Sequence, residues 1–524
     1  MYTSNPFGNP DGSREKIENM MESFISFDSR YYPIKETNIR TRVIVGAKGS
    51  GKTVYLRRMK AIMRGNSSVY TTEIATELPS TEHVIRFCQL HDINILTEKW
   101  MTLWRCALLR SLTSHILCSS ELNSFLLETE KRDIKRYTNK LFPVMKVPMD
   151  PYTEARNILS FYTTRSEFES FFSLREWDEL DAILSHILPK LPPIYFFLDC
   201  IDDEYSHAPM YWMRCQKGLF YRCMRFLRHS VYGSRFHIVI CIRDQVLSSV
   251  YQSEHSTRYI HDGHILSLNW DYRSIDYFFQ YKISELKDCY FINRGEEDAK
   301  KTIERWLGLS SIRNVIRNCD EDIGRYILRH TRLSPRDVIV IGNLLAGIKR
   351  ESAGIPDYDI EKEIRRKIAV AARSFGDELL AICANQIINN QMPDSAGKMD
   401  FTEVYTSIQE YKEQTSTSMR IILDMLPSDR ITWDDIDTIN NVVNEKELLP
   451  EGHHMFDILW QNGGVGYIED GTNGKPKEVF FVDCNYELFT LPKYKSQYIF
   501  RSCLIDCLGL QKKVSDKPVI GGNV

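Results

Sequence analysis

The sequence predicts an α/β protein whose first domain is a parallel sheet covered by helices on both faces. Three observations carry this prediction. The run Gly46-Ala47-Lys48-Gly49-Ser50-Gly51-Lys52-Thr53 stands directly behind the apolar Val43-Ile44-Val45. Three further short, nearly continuous apolar runs follow at residues 194–198, 237–242 and 265–268. Helical periodicity fills the intervals. Strands that are apolar along their whole length, with helices between them, belong to a parallel sheet buried on both sides.

The elements follow in order. Residues 1–40 form an N-terminal segment: Asn5-Pro6-Phe7-Gly8 is turn-like, and 14–28 reads as an amphipathic helix with Ile17, Met21, Phe24 and Ile25 on one side. A core domain covers 41–275. Within it, 66–190 reads as a helical insertion, in which Trp100, Leu103, Trp104, Leu108 and Leu112 recur at steps that make a buried stripe. Helical periodicity dominates 276–395, a helical lid. In 396–524, helices precede two apolar runs, 465–468 and 479–482, around the turn-rich Gly471-Thr-Asn-Gly-Lys-Pro476. Helices followed by a hairpin are the order of a winged-helix-like α+β domain.

Composition narrows the class of protein. A chain of 524 residues suggests about three domains at roughly 150 residues each. Its 43% hydrophobic and 26% charged residues are those of a soluble globular protein. The net charge of -3 gives no global pull toward nucleic acid, so any such binding is expected to be weak and local. Lys493, Lys495 and Arg501, just beyond the predicted hairpin, form a basic cluster that is modest for DNA binding. No apolar run approaches the roughly 20 residues of a membrane span, and the first residues lack the regions of a secretory signal. The 13 cysteines are scattered without a C-x-x-C pair, as expected of core thiols in a reducing compartment. These readings predict a cytoplasmic protein without a membrane partner.

The chemistry concentrates at the ends of the predicted strands. Residues 46–53 fit G-x-x-x-x-G-K-[ST] throughout, and a helix beginning near Val54 follows. Glycines let backbone N–H groups close around phosphate oxygens, Lys52 supplies a point charge, and the Thr53 hydroxyl suits Mg²⁺. Gly46, Lys48, Gly49, Ser50, Gly51, Lys52, Thr53 and Val54 are therefore candidate nucleotide contacts. No N-K-x-D guanine-reading motif follows the second strand, which favours ATP. Hydrolysis also needs a carboxylate at a strand end and a group that orients water. Asp199 ends the 194–198 run and is the candidate second Mg²⁺ ligand; Asp202, Asp203 and Glu204 follow it, as catalytic groups or as a solvated acidic turn. Arg243 closes the next strand, either facing a γ-phosphate or as an ordinary surface arginine. Ser334-Pro335 reads as a capped helix start, which puts Arg336 in the first turn. The helix dipole disfavours a cation there, so it faces either a ligand phosphate or a carboxylate such as Asp337.

These residues together resemble the STAND and origin-recognition-like ATPases related to the AAA+ class. The resemblance rests on residues 46–53, on Phe196-Phe-Leu-Asp199-Cys-Ile-Asp202-Asp203, on Arg243, on Pro335-Arg336-Asp337, and on Asn269-Trp270 behind the fourth strand. It covers roughly residues 40–345. It implies ATP binding with hydrolysis, a homo-oligomer, and a prokaryotic anti-phage defence role in which nucleotide state controls assembly or a separate effector protein. The alternative within the same resemblance is a DNA-binding replication or maintenance ATPase. Cys200 stands where such proteins place a glutamate, which implies slow hydrolysis through Asp202, Asp203 or Glu204.

Overall fold

The computed structural model describes residues 5–22, 24, 39–141, 147–199, 208–253, 256–259, 262–293, 300–314, 318–353, 355–389, 401–449, 454–470, 476–484 and 488–508. An N-terminal stretch with a short helix α1 (Ile17–Glu22) leads to strand β1 (Val43–Gly46) and helix α2 (Lys52–Arg64). Strand β2 (Tyr70–Ala75) precedes a run of helices that includes α3 (Leu96–Cys118). Then come β3 (Ile194–Leu198), α4 (Pro209–Arg228), β4 (Phe236–Arg243), α5 (Asp244–Tyr251) and β5 (Ile265–Ser267). The five strands form one parallel sheet in the order β2-β3-β4-β1-β5. The fold is thus α/β on a parallel sheet.

Alternation along the strands decides which helices cover which face. Val43, Val45, Phe196, Leu198, Ile240 and Ile242 point to one side, into a core shared with α3 and α4. Ile44, Phe197, Val239 and Cys241 point to the other, against Tyr55, Leu56, Met59 and Met63 of α2. Each such side chain, fully enclosed, stabilises the fold by roughly 1.5–3 kcal/mol. The stripe Trp100, Leu103, Trp104, Leu108 and Leu112 is core, at most 1% exposed.

Two local expectations change. The interval 66–190 is not wholly helical, because β2 occupies the sheet edge. Its sequence, Tyr-Thr-Thr-Glu-Ile-Ala, has few apolar residues, since an edge strand has less to bury, and its register shifts between Thr71 and Ile74. In the N-terminal helix, Ile17 is half exposed and Met20 takes the buried position. Phe24 is buried as expected; Ile25 lies outside the described residues.

Beyond the sheet, α6 (Tyr272–Ser284), the antiparallel pair β6 (Ser311–Asn314) and β7 (Cys319–Asp322), and α7 (Pro335–Ala346) build a second core. Helix α8 (Ile360–Asn389) then runs through two cores in succession. Ile364, Ile368, Ala372 and Phe375 belong to the second, whereas Leu379, Leu380, Cys383 and Ile387 belong to a third. The third core is closed by α9 (Phe401–Asp424), β8 (Arg430–Ile431), α10 (Trp433–Glu445), α11 (Met455–Gln461), β9 (Val465–Asp470), β10 (Pro476–Val479), β11 (Gln497–Phe500) and α12 (Ser502–Leu508). Its four strands form an antiparallel sheet in the order β10-β9-β11-β8. Among the described residues, no helix is long and apolar enough to cross a membrane.

Candidate functional site

The carboxyl ends of β1, β3, β4 and β5 lie along one edge of the parallel sheet, where ligands of open α/β sheets bind. The described candidate residues of the core domain, 46–54, Asp199 and Arg243, sit there. Gly46 ends β1 and Lys52 opens α2, so residues 47–51 form the turn between them. The turn needs left-handed backbone at Gly49 (φ 87°) and Gly51 (φ 97°), which glycine adopts without a Cβ penalty. Ser50 N–H donates to Ala47 O at 3.2 Å, and Tyr55 N–H donates to Gly51 O at 3.0 Å. Lys52 Nζ folds over the turn, donating to Gly46 O at 2.9 Å and Ala47 O at 3.0 Å. Thr53, half buried, lies in the first turn of α2, whose unpaired N–H groups and dipole favour an anion. Ser50 is 3% exposed, and its Oγ makes no hydrogen bond among the described residues. A buried hydroxyl in that state costs about 1–3 kcal/mol, which a ligand oxygen would offset.

Three segments distant in sequence close on this turn. Behind β5, Leu268 N–H donates to Val45 O at 2.8 Å, and Trp270 Nε1 donates to Ser50 O at 2.9 Å. At the start of α7, Ser334 caps the helix through Asp337 N–H, and Arg336 N–H donates to Gly49 O at 3.3 Å. A Cβ on Gly49 would come within 3.0 Å of Arg336 Cβ, so this contact too requires glycine. The N-terminal stretch lies alongside: Arg57 of α2 donates to Gly12 O, and Asn343 of α7 is bonded to Phe7 N–H at 2.9 Å and Gly8 O at 3.0 Å.

Two cavities flank the turn, and both touch Ser50, Leu268 and Trp270. On the Val54 side, a space of about 440 Å³ is walled by Phe7, Gly8, Glu15, Gly51, Val54, Tyr55, Phe278, Lys282 and Pro335. On the Lys48 side, a space of about 110 Å³ is walled by Ala47, Lys48, Arg243, Arg332, Ser334, Leu379, Asn462, Gly463, Phe481 and Arg501. Arg243, 4% exposed at the end of β4, thus faces the turn. Arg336 contributes its backbone to the turn, while Arg332 is the arginine of this segment that lines the smaller cavity. Asp337 is taken by Arg332, whose Nε and Nη2 lie 3.0 and 2.7 Å from the carboxylate. Burial would lower the Arg332 pKa, but Asp337 and then Glu378 outweigh it and raise it.

Asp199 is buried one residue beyond β3. Its N–H donates to Ala75 O at 3.0 Å, and its carbonyl accepts the Tyr152 hydroxyl at 2.7 Å, so the insertion helps to place it. Thr53, beyond β1, and Asp199, beyond β3, offer hard oxygen ligands, a donor type that suits Mg²⁺; β4 with Arg243 at its end lies between the two strands. Asp202, Asp203 and Glu204 lie outside the described residues.

The C-terminal basic cluster is dispersed. Arg501 turns inward to the smaller cavity, donating to Gly463 O at 3.1 Å above the Phe480 ring. Lys493 lies over Trp433, and Lys495 lies over Tyr467 with Glu469 3.5 Å away. Arg332 and Glu378 were not identifiable as site residues from sequence, and Arg501 was read there only as part of a basic cluster. Only the Trp270 position carried a signal. No family model matches the chain, and no curated protein or solved structure is significantly similar to it.

Proposed function

We propose that this chain is a regulatory ATPase that binds ATP at residues 46–54 with Mg²⁺ and hydrolyses it slowly. The observation that carries the reading is the enclosed, unsatisfied Ser50 hydroxyl in a glycine turn, at the N-terminus of α2 and bordered by Lys52. Phosphate oxygens satisfy such a hydroxyl and the N–H groups around it. The 440 Å³ cavity takes the nucleoside, and the phosphates run across the turn toward Lys48 and Arg243. Bound Mg²⁺ would neutralise phosphate charge, held by Thr53 and Asp199. Lys52 and Arg243 stabilise the negative charge, and Asp203, or Asp202 or Glu204, orients the attacking water.

The resemblance to STAND and origin-recognition-like ATPases extends this to a prokaryotic anti-phage defence role. In it the chain acts as a cytoplasmic homo-oligomer on a separate effector, and the C-terminal part is a winged-helix-like contact domain. The smaller cavity supports such coupling, because residues 462–463, Phe481 and Arg501 of the C-terminal part wall it. The dispersal of Lys493, Lys495 and Arg501 weighs against the DNA-binding alternative.

Thermal melting tests the reading. A ligand that binds only the folded chain stabilises it by RT ln(1 + [L]/Kd), about 2.7 kcal/mol at a hundredfold excess over Kd. Mg·ATP is expected to raise the melting temperature more than Mg·GTP. A melting temperature unmoved by either nucleotide overturns the assignment.

A further inference from the structure

We infer that Glu378 of α8 is an internal competitor of the terminal phosphate, holding the cations Lys48 and Arg332 until a nucleoside triphosphate displaces it. The inference rests on the nucleotide reading above and deepens it by naming the residue that distinguishes tri- from diphosphate.

The geometry is a chain of charges between the glycine turn and the lid. Lys48 Nζ lies 3.1 Å from Glu378 Oε1, and Arg332 Nη1 lies 2.7 Å from Glu378 Oε2. One carboxylate thus spans two cations that arise 284 residues apart (332 − 48), and both cations wall the smaller cavity. Burial pushes the Glu378 carboxyl up, but Arg332 and then Lys48 outweigh it and hold it below the usual range. Glu378 is therefore charged at neutral pH and plays toward both cations the role of a ligand anion. Phosphate carries more charge and more acceptor oxygens than a carboxylate, and charge-assisted bonds to arginine favour it. The nucleoside occupies the Val54 side, so the phosphate that reaches Lys48 and Arg332 is the terminal one of a triphosphate.

The position of Glu378 gives the exchange a consequence. On α8 it stands between Phe375, in the core of the lid, and Leu379, in the core of the C-terminal part. Its bond to Lys48 is the side-chain link from the glycine turn to the helix shared by both cores. A ligand shifts a conformational equilibrium only by binding its states differently. Exchange of Glu378 for a phosphate supplies that difference for a triphosphate and withholds it from a diphosphate.

Isothermal titration of the full chain with Mg·ATP and Mg·ADP tests this. Glu378→Gln keeps the shape and removes the charge. It is expected to tighten ATP by about fivefold or more, the lower end of typical coupling between sites, and ADP by less than about twofold. An unchanged ratio of the two affinities, or weaker ATP binding, overturns the inference while leaving the nucleotide reading intact. A wild-type chain that binds neither nucleotide removes the reading itself and the inference with it. If Glu378→Gln fails to fold, Lys48→Gln decides. It is expected to weaken ATP by about fivefold and spare ADP; equal effects on both make Lys48–Glu378 a plain structural ion pair and overturn the proposal.

Discussion

On the Val54 side of the glycine turn, the cavity of about 440 Å³ is walled by Phe7, Tyr55, Phe278 and Pro335 and by charged residues of both signs, among them Arg14, Glu15, Glu22 and Lys282. On the Lys48 side, the cavity of about 110 Å³ is walled by four cations, Lys48, Arg243, Arg332 and Arg501. The first is shaped by the N-terminal stretch and the lid, the second by the lid, α8 and the C-terminal part. A single turn thus separates a roomy compartment with aromatic walls and charges of both signs from a tight one lined by four cations. This division fits a ligand with a flat, aromatic end and a polyanionic end. In the proposed reading it also gives the N-terminal stretch and the C-terminal part different tasks: one shapes the nucleoside compartment, the other meets the charge.

The largest expected effect comes from breaking the larger compartment. Phe7 is 1% exposed, 5.0 Å from the Trp306 ring and 6.2 Å from the Phe279 ring, and its ring fills the space above Gly342. Phe7→Ala should cost about 3–5 kcal/mol in denaturant unfolding. At temperatures where the variant stays folded, it should weaken ATP and ADP alike, because both share the nucleoside. Arg243→Ala attacks the other compartment. It should weaken ATP by about tenfold, near 1.4 kcal/mol, with little change for ADP; titration with the two nucleotides separates the outcomes. If Arg243→Ala weakens both equally and Phe7→Ala discriminates between them, the two compartments have been assigned the wrong way round.

A further effect, set by pH, concerns the sheet and α3 rather than the cavities. Burial pushes the His115 pKa down to about 4. Burial, and then Arg42, pushes that of His237 down to about 3; Arg42 Nη2 donates to its Nδ1 at 3.2 Å. Both histidines are neutral in the folded chain and take up a proton on unfolding below about pH 6.5. The unfolded state therefore binds more protons in that window. Stability is complete above pH 6.5 and falls as pH drops toward 4, by up to about 1.4 kcal/mol per pH unit for each histidine. Denaturant melts between pH 7.5 and 5 should show this slope, and His237→Gln should reduce it. A slope unchanged by His237→Gln would place the acid sensitivity elsewhere.

Much of this was legible in the sequence, for local reasons. Four of the five parallel strands announce themselves because each is apolar on both faces. The glycine turn does so because its backbone needs glycine at 49 and 51. The Ser334 cap is likewise written in adjacent residues. Strand β2 was not legible, since Tyr70-Thr-Thr-Glu-Ile-Ala75 sits at an edge and alternates poorly. Strand β8, only two residues long, carries no pattern at all. The pairings of Lys48, Glu378 and Arg332, and the inward turn of Arg501, depend on tertiary packing that no local spacing encodes. Sequence reasoning accordingly placed Arg336 at the phosphate end, where the structure puts its backbone against Gly49 and lines the cavity with Arg332.

The central claim is that the turn at 46–53 binds a nucleoside polyphosphate, and Lys52 tests it most directly. Isothermal titration of the wild-type chain with Mg·ATP should give saturable binding of one nucleotide per chain. Lys52→Ala should melt like the wild type and lose about 10²-fold or more in affinity, the scale of removing one preorganised donor from a developing or fixed negative charge. A folded Lys52→Ala chain that binds Mg·ATP as tightly as the wild type would contradict the account.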